Sequence, residues 1–596
     1  MTSSLTRRPT ADDAASPAAT HRSAPAAGTA AAAWPNVRHL AAFVALVVTI
    51  LGLGAVPSVQ ASSEPAATTA ASAPSPATSA APVPFDAGKA DAGITGKEAS
   101  GRVFTAMEFD IRGATLLERG EIEEVVYPFL GPDKTADDME QARAALEQLY
   151  QRKGYQTVVV SVPPQNPDSG VIRLQVTEAK VGRLRVRGAR YHSPEQIKSE
   201  VPSLAEGQVP NVTRAEQELI AVNQQPDRRV FPVMRAGITP GTVDVDLQVE
   251  DSLPLHASSE LNNRRSESTK PLRLVTSIGY DNLWQLGHSI NFTHQVAPER
   301  PSDAQVYSGS YLARFPQLPG YAFLVYGYTS DSNVATVGTT NVIGAGKAVG
   351  GRVIRTLPGT TQFFQSVSGG LDYKDFDENV ALGGSEIQTP ITYYPFTIGY
   401  SAQVFKERST VNLGADVVFS FRGLGSDNAE FDQKRYEASD SFIYLRTTAD
   451  YTQTLPYDLA LFTRFEGQIA NGPLISNEQL AVGGLDTVRG FLEAIVLGDY
   501  GVVGSLELRS PSVGKYIDPR VNDWRFHAFL DAASASIYQP LPGQQQTYGL
   551  ASVGVGTRLK LLEALNGSVD LAFPILSNGV NANDGESVLF RVWGEL

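Results

Sequence analysis

Residues Ser409 to Arg422 read STVNLGADVVFSFR, and this stretch decides the fold. In an extended chain Val411, Leu413, Ala415, Val417, Phe419 and Phe421 fall on one face, and Thr410, Asn412, Asp416, Ser420 and Arg422 on the other. So long an alternation suits a strand that crosses a bilayer at a tilt, greasy side outward. Working outward, Val569, Leu571, Phe573 and Ile575 alternate with Ser568, Asp570 and Ala572, and Val588, Phe590 and Val592 alternate around Arg591. About 16 such segments recur, near 256, 272, 288, 303, 321, 347, 361, 391, 409, 441, 459, 500, 524, 547, 565 and 587.

Their connections alternate in length. Short turns (Pro316 to Gly320, Leu357 to Gly359, Lys406 to Arg408, Pro456 to Asp458) take turns with long polar stretches (331–346, 374–390, 423–440, 470–499). The pattern predicts a transmembrane β-barrel of about 16 antiparallel strands over 254–596, because only a closed sheet satisfies its backbone in lipid. A soluble sandwich or propeller fits strands of this length poorly. Arg273, Asp281, Asp416, Glu507, Arg509, Arg525, Asp531 and Asp570 sit on the polar faces. A charge facing lipid at the midplane costs ~2–4 kcal/mol, so these faces point inward. With about 16 strands, side chains alone do not fill the lumen, and a water-filled pore or a plug follows.

Composition narrows the function. The chain has 596 residues, 42% of them hydrophobic, and 49 Lys and Arg against 63 Asp and Glu, a net charge of −14. That acidity argues against a nucleic-acid partner. With no cysteine and 7 histidines, disulfides, iron–sulfur clusters and thiol chemistry are excluded, and we expect no cofactor and no metal. Gly346-Lys347 lacks the rest of a phosphate-binding loop, so no nucleotide is expected, and no hydrolase signature is visible.

The amino-terminal third is built differently. Leu40 to Ala55 is a short apolar run after Arg7, Arg8, Arg22 and Arg38, and Val59-Gln60-Ala61 follows it, so 1–61 reads as a signal peptide with a long basic region. Residues 62–102, rich in Ala, Pro, Ser and Thr, read as a flexible linker. Two copies of one small α/β unit come next, at 103–179 and 180–253. In the first, strand Phe104 to Arg112 precedes a helix from Glu118 to Phe129. A second helix, Asp137 to Lys153, is opened by the capping pair Thr135 and Asp138, and strands Tyr155 to Val162 and Val171 to Thr177 close the unit. In the second, strand Val181 to Gly188 leads to a helix capped at Thr213 and ending at Asn223, then to strands Val230 to Met234 and Thr242 to Val249. Ile111-Arg112-Gly113 and Val186-Arg187-Gly188 mark the repeat. Each unit leaves a sheet edge open, which can accept an extended segment of another chain. Asp244 and Asp246 read as solvated residues on a strand face.

One long connection, 471–499, is unlike the others. Val482-Gly483-Gly484-Leu485-Asp486-Thr487-Val488-Arg489-Gly490-Phe491 sets apolar side chains and one Arg among glycines, an odd choice for a tip in water. Folded back into the barrel, Arg489 meets inward acids; Trp524, Phe526, Ala528 and Leu530 facing lipid turn Phe529 and Asp531 inward.

Val488-Arg489-Gly490-Phe491 resembles the VRGF/Y motif of the outer-membrane transporters of two-partner secretion, the hemolysin secretion/activation group. Phe529-Leu530-Asp531 is similar to that family's F-x-D motif, and residues 104–130 and 181–251 resemble its two POTRA (polypeptide-transport-associated) domains. The resemblance implies an outer-membrane protein with periplasmic POTRA domains. It implies a sixth extracellular loop run back into the barrel, with Arg489 paired to Asp531 on the thirteenth strand. It also implies a secreted partner protein, hemolysin- or adhesin-like, with a β-rich amino-terminal domain. The partner is captured unfolded at the edge Tyr155, Gln156, Thr157, Val158, Val159 and Val160, and is conducted through a barrel seated in outer-membrane lipid. The Ala/Pro-rich linker stands where the family often has a charged plug helix. Two alternatives remain on the sequence: an outer-membrane assembly factor of the same superfamily, which usually has more POTRA units, and a diffusion porin, which needs none. A wet lumen predicts an Arg489–Asp531 pair of low to middling strength.

Overall fold

A computed structural model describes residues 103–596 except 224, 226, 268, 316, 319, 333, 338–339, 344, 383–384 and 582–586. The expected signal peptide (1–61) and linker (62–102) lie outside the described residues.

The two α/β units share one strand order. In the first, Glu108–Arg112 runs parallel to the central Val171–Glu178, which pairs antiparallel with Val158–Ser161. In the second, Lys180–Arg187 runs parallel to Thr242–Asp251, and Arg228–Ala236 is antiparallel to it. The matching glycines show why the repeat is legible. Gly113 and Gly188 have φ +83 and +92, and a Cβ on either would lie 2.3 Å from a carbonyl oxygen of the central strand, that of Val176 or Val249. Two residues further on, each central strand supplies a carboxylate to the turn that follows the glycine. Glu178 accepts from the N–H groups of Thr115 (2.7 Å) and Leu116 (3.0 Å). Asp251 accepts from those of Arg190 (2.8 Å), Tyr191 (2.7 Å) and His192 (3.1 Å). Burial pushes the Asp251 carboxyl up, but these backbone donors outweigh it and hold it below the usual carboxylate range.

Several boundaries differ from the sequence reading. Phe104 to Arg112 is broken at Met107: Phe104–Ala106 pairs instead with Gly131–Lys134 in a separate two-stranded sheet. The helix expected to reach Phe129 is Arg119–Val126 with a 3-10 turn, Tyr127–Phe129, because Pro128 cannot continue it. The capping box of Thr135 and Asp138 does open Ala136–Arg152, which buries Met139, Ala142, Leu146, Leu149 and Tyr150. In the second unit Asn211, not Thr213, caps the helix Val212–Val222, and Pro194–Ser199 is a further short helix. Asp244 and Asp246 are buried, not solvated: Arg185 Nε lies 2.9 Å and Arg187 Nε 3.1 Å from Asp246.

Beyond Leu255 the chain closes into an antiparallel barrel of sixteen strands. The first is Leu255–Asn262 and the second Arg273–Leu283. The sixth is Gly346–Thr360, the seventh Phe363–Leu382, and the eighth Ser385–Tyr393 continued by Phe396–Lys406, both parts pairing with the seventh. Ser409–Phe419, Ile443–Thr454 and Ala460–Ala470 are ninth to eleventh. Tyr500–Arg509, Val521–Ser536, Thr547–Leu561, Leu565–Asn578 and Val588–Glu595 are twelfth to sixteenth. The last strand pairs with the first from Arg591 opposite Asn262 to Glu595 opposite Ser258, and Arg591 Nε reaches Glu260 at 2.9 Å across that seam. Large apolar side chains such as Ile398, Leu413, Leu530 and Phe573 stay exposed on the outside, the surface a membrane covers.

Two connections are corrected. Residues 374–390 are not a loop: the seventh and eighth strands run on as a hairpin from Lys374 opposite Tyr393 to Leu382 opposite Ser385. The sequence there lacks a clean period-two alternation and so reads as a loop, but strand pairing is made by the backbone and does not require that alternation. The turn expected at Leu357 to Gly359 lies at 361–362, because the sixth strand runs through Thr360.

Candidate functional site

The long connection between the eleventh and twelfth strands is folded into the barrel. Leu480–Val482 pairs with Val496–Gly498, making a narrow hairpin whose tip is 483–495. Val488 and Phe491 are buried with Leu480, Val482 and Val496 against Val503, Ala535 and Leu550 of the twelfth to fourteenth strands. This explains the apolar residues in an apparent loop: their solvent is the barrel wall. Gly490 (φ +90) sits so close to that wall that a Cβ would meet the Ala572 methyl at 3.2 Å and Pro574 at 3.3 Å.

Arg489 lies at the centre. Its Nε donates to Asp531 Oδ2 (2.8 Å), Nη2 to Asp531 Oδ1 (3.0 Å) and Nη1 to Glu507 Oε2 (2.9 Å), with Asp570 Oδ1 at 3.7 Å. Even its backbone N–H points at Asp531 (3.2 Å). The guanidinium carbon lies 3.5 Å from the centre of the Phe529 ring, so Phe529 and Asp531 hold the same cation. Arg509 and Arg558 share Glu507, and His527 Nε2 approaches Asp570 at 2.5 Å. The side chains of Arg489 and Asp531 are 6% and 0% exposed. The pair is therefore desolvated, not bathed as a wet lumen predicted, and belongs at the strong end: removing one member of such a pair costs ~3–5 kcal/mol.

Other anchors of the loop were missed in the sequence. On the flank of the tip, Arg264 from the connection after the first strand reaches Asp486 (2.7 Å) and Glu493 (2.9 Å). At the root, Glu478 accepts from Lys374 Nζ (2.6 Å) and from the hydroxyls of Tyr393 (2.6 Å) and Tyr444 (2.7 Å). Asp499 takes both outer nitrogens of Arg435 (2.6 and 2.9 Å), Gln479 Nε2 (2.9 Å) and the N–H groups of Leu474 (2.9 Å) and Tyr538 (2.6 Å). No spacing in the sequence links such distant residues.

The expected capture edge stands apart from this site. Val158–Ser161 is a four-residue edge strand, with Tyr155 to Thr157 in the turn before it. Thr157, Val158 and Val160 are buried, Val159 is exposed, and Arg143 donates to the Val160 carbonyl (3.2 Å). The corresponding edge of the second unit, Arg228–Ala236, is blunted. Asn223 exchanges hydrogen bonds with Val230 N (2.7 Å) and O (2.9 Å), and Pro232 offers no donor.

A model of the haemolysin secretion/activation proteins ShlB/FhaC/HecB matches residues 241–559, more than half of the chain. The chain belongs to that family. The model of the ShlB-type POTRA domain matches residues 104–179. Outer membrane transporter CdiB of Escherichia coli is 24% identical over 505 residues, covering 83% of this chain and 82% of that one. CdiB of Dickeya dadantii is 23% identical over 442 residues, 68% of this chain and 72% of its own. The solved structure of Escherichia coli CdiB superposes with a TM-score of 0.64 at 19% identity, covering 84% of this chain and 92% of that one. Like the rest of the haemolysin secretion/activation family, this protein is an outer-membrane transporter of two-partner secretion. It moves a secreted partner protein across that membrane, with its POTRA module in the periplasm.

Proposed function

We propose that export runs from capture on the POTRA module, through the lumen, past a loop held by Arg489. The second unit, 180–253, acts as a second POTRA domain; the shared strand order and the paired Gly113 and Gly188 support this reading. The unfolded partner, led by a β-rich amino-terminal domain, adds a strand along Val158–Ser161, since the longer edge of the second unit is blocked by Asn223 and Pro232. The barrel itself works without catalysis, nucleotide or metal, and folding of the passenger at the surface supplies the drive.

The observation that carries this is the desolvated contact of Arg489 with Asp531 and Glu507, which fixes the loop inside the barrel. Co-expression with a candidate partner tests it. Deleting 104–251 is expected to abolish secretion while leaving the barrel's conductance in planar bilayers. Secretion that survives the deletion overturns capture on the POTRA module.

A further inference from the structure

At the outer ends of the seventh to tenth strands an apolar cluster interrupts the polar lining of the barrel, beside the network that Glu478 makes with Lys374 and the hydroxyls of Tyr393 and Tyr444. Phe376, Ile391, Tyr393, Val418, Phe442 and Tyr444 lie on the lumen side of the wall and form a buried apolar cluster. Lower on these strands the inward positions hold Asp372, Asp416 and Arg446, with Arg352 of the sixth strand beside Asp372. An aromatic ring in an aqueous passage is an exposed apolar patch, which soluble surfaces avoid unless something binds there.

In this structure the chain covers the patch itself. The connection after the ninth strand carries the short helix Asn428–Lys434, whose Phe431 is buried against Tyr393 (ring centres 5.7 Å apart) and Phe442 (6.4 Å). Leu474 and Ile475, from the root of the inserted loop, complete the cover. A polar latch ends the helix: Arg435 grips Asp499 with both outer nitrogens and donates to the carbonyls of Leu474 (2.7 Å) and Tyr538 (2.9 Å). The cover is thus a loop element over a surface that apolar side chains fit, held by Arg435 at one end of its helix, by Lys434 Nζ at the Thr389 carbonyl (3.4 Å) and by the Ser426 N–H at the Thr392 carbonyl (2.7 Å).

We propose that Asn428–Lys434 is a displaceable lid latched by Arg435 and Asp499, and that the aromatic collar beneath it receives apolar side chains of the emerging polypeptide. The second half rests on the export reading above. Exchange at the collar is like for like: an apolar residue of the passenger takes the place of Phe431, and no apolar surface meets water at any stage. The Arg489 cluster plays no part in this motion, because its acids all stand on the twelfth, thirteenth and fifteenth strands.

The absence of cysteine makes the test clean. Ala438→Cys and Val418→Cys place small thiols at buried positions of the cluster, to be probed on intact cells with a membrane-impermeant maleimide. Both are expected to be protected in the otherwise unaltered protein. Adding Arg435→Ala, or separately Phe431→Ala, is expected to raise labelling about tenfold or more, the factor that ~1.4 kcal/mol represents. Heat-modifiable migration of each variant shows that its barrel is intact. Equal labelling with and without the latch overturns the lid, as does full reactivity in the unaltered protein. For the collar, a soluble peptide rich in Val and Phe is expected to protect Val418→Cys in the Arg435→Ala background, while a Ser/Asn peptide of equal length is not. Equal effects of the two peptides overturn the collar. Labelling reads the lid without any passenger, so failure of the export reading registers separately, in the secretion assay.

Discussion

The tip and the root of the inserted loop are both held by buried charge, but with opposite polarity and on different supports. At the tip the loop brings the cation, Arg489, and the wall brings the acids Asp531, Glu507 and Asp570. At the root the loop brings the acids, Glu478 and Asp499, and the donors come partly from strands (Lys374, Tyr393, Tyr444) and partly from neighbouring loops (Arg435, Tyr538). A wall strand is hydrogen-bonded on both sides and cannot move alone; a loop can. The tip is therefore bolted to the rigid part of the molecule, while the outer half of the root is tied to elements free to rearrange.

Substitutions at four positions break or sharpen this contrast. The largest effect is expected for Arg489→Ala, which leaves three acids around an empty centre at a local cost of ~3–5 kcal/mol. Secretion of a co-expressed partner should fall tenfold or more while the barrel stays folded by heat-modifiable migration. Arg489→Lys should not restore it, since an ammonium cannot bridge Asp531 and Glu507 as a fork does. An absent barrel in Arg489→Ala would make the residue a stability element instead. Next comes Glu478→Gln, which strips the charge facing buried Lys374 and costs about 2–3 kcal/mol. Hydrogen exchange should rise across 471–482 and stay slow at 487–491; equal loosening of both would show that tip and root are one unit. Arg264→Ala, on the flank, removes contacts to half-exposed Asp486 and buried Glu493 and should cost about 1–2 kcal/mol, read as faster exchange at 484–493 with secretion reduced only severalfold. The smallest effect, about 1 kcal/mol, is expected outside the barrel for Asn211→Ala. Asn211 caps Val212–Val222 and also donates to the Lys153 carbonyl (2.9 Å), so exchange in that helix should rise with no change at the tip.

Acid gives a separate handle on the second α/β unit. His192 is held below its ordinary value chiefly by burial, with Arg228 adding repulsion, so its folded form resists protonation. The unfolded chain then binds the extra proton, and stability contributed by neutral His192 begins to be lost as pH falls below ~6.5 and is gone once pH falls through its lower folded value. Asp251, depressed in the fold, contributes stability that persists to lower pH and disappears as its folded carboxyl protonates. Chemical denaturation followed between pH 8 and pH 5 should show the unit weakening only below that first threshold; His192→Gln should flatten the profile.

Much of the fold was legible because it is written in short-range periodicity. The alternation in Ser409 to Arg422 recurs around the barrel, and the lipid demands it at every strand. Arg112-Gly113 and Arg187-Gly188 were readable as a repeat because a carbonyl of the central strand leaves room for nothing larger than glycine. The hairpin over 374–390 was misread where the periodicity lapses, and the helix cap was placed at Thr213 because Asn211 and Thr213 are both good caps in isolation.

By itself, then, the chain's order of residues determined a sealed barrel with two α/β units before it, and marked Arg489, Phe529 and Asp531 as out of place in their surroundings. Only the tertiary structure decided how strongly Arg489 is held, since desolvation depends on Val488, Phe491 and the wall closing around it. It alone brought Glu478 to Lys374, and Arg435 to Asp499 above an aromatic collar. Local pattern reports what each residue's immediate neighbours require; a charge pair between distant segments leaves no period to read, because its energy exists only once the barrel has brought its members together.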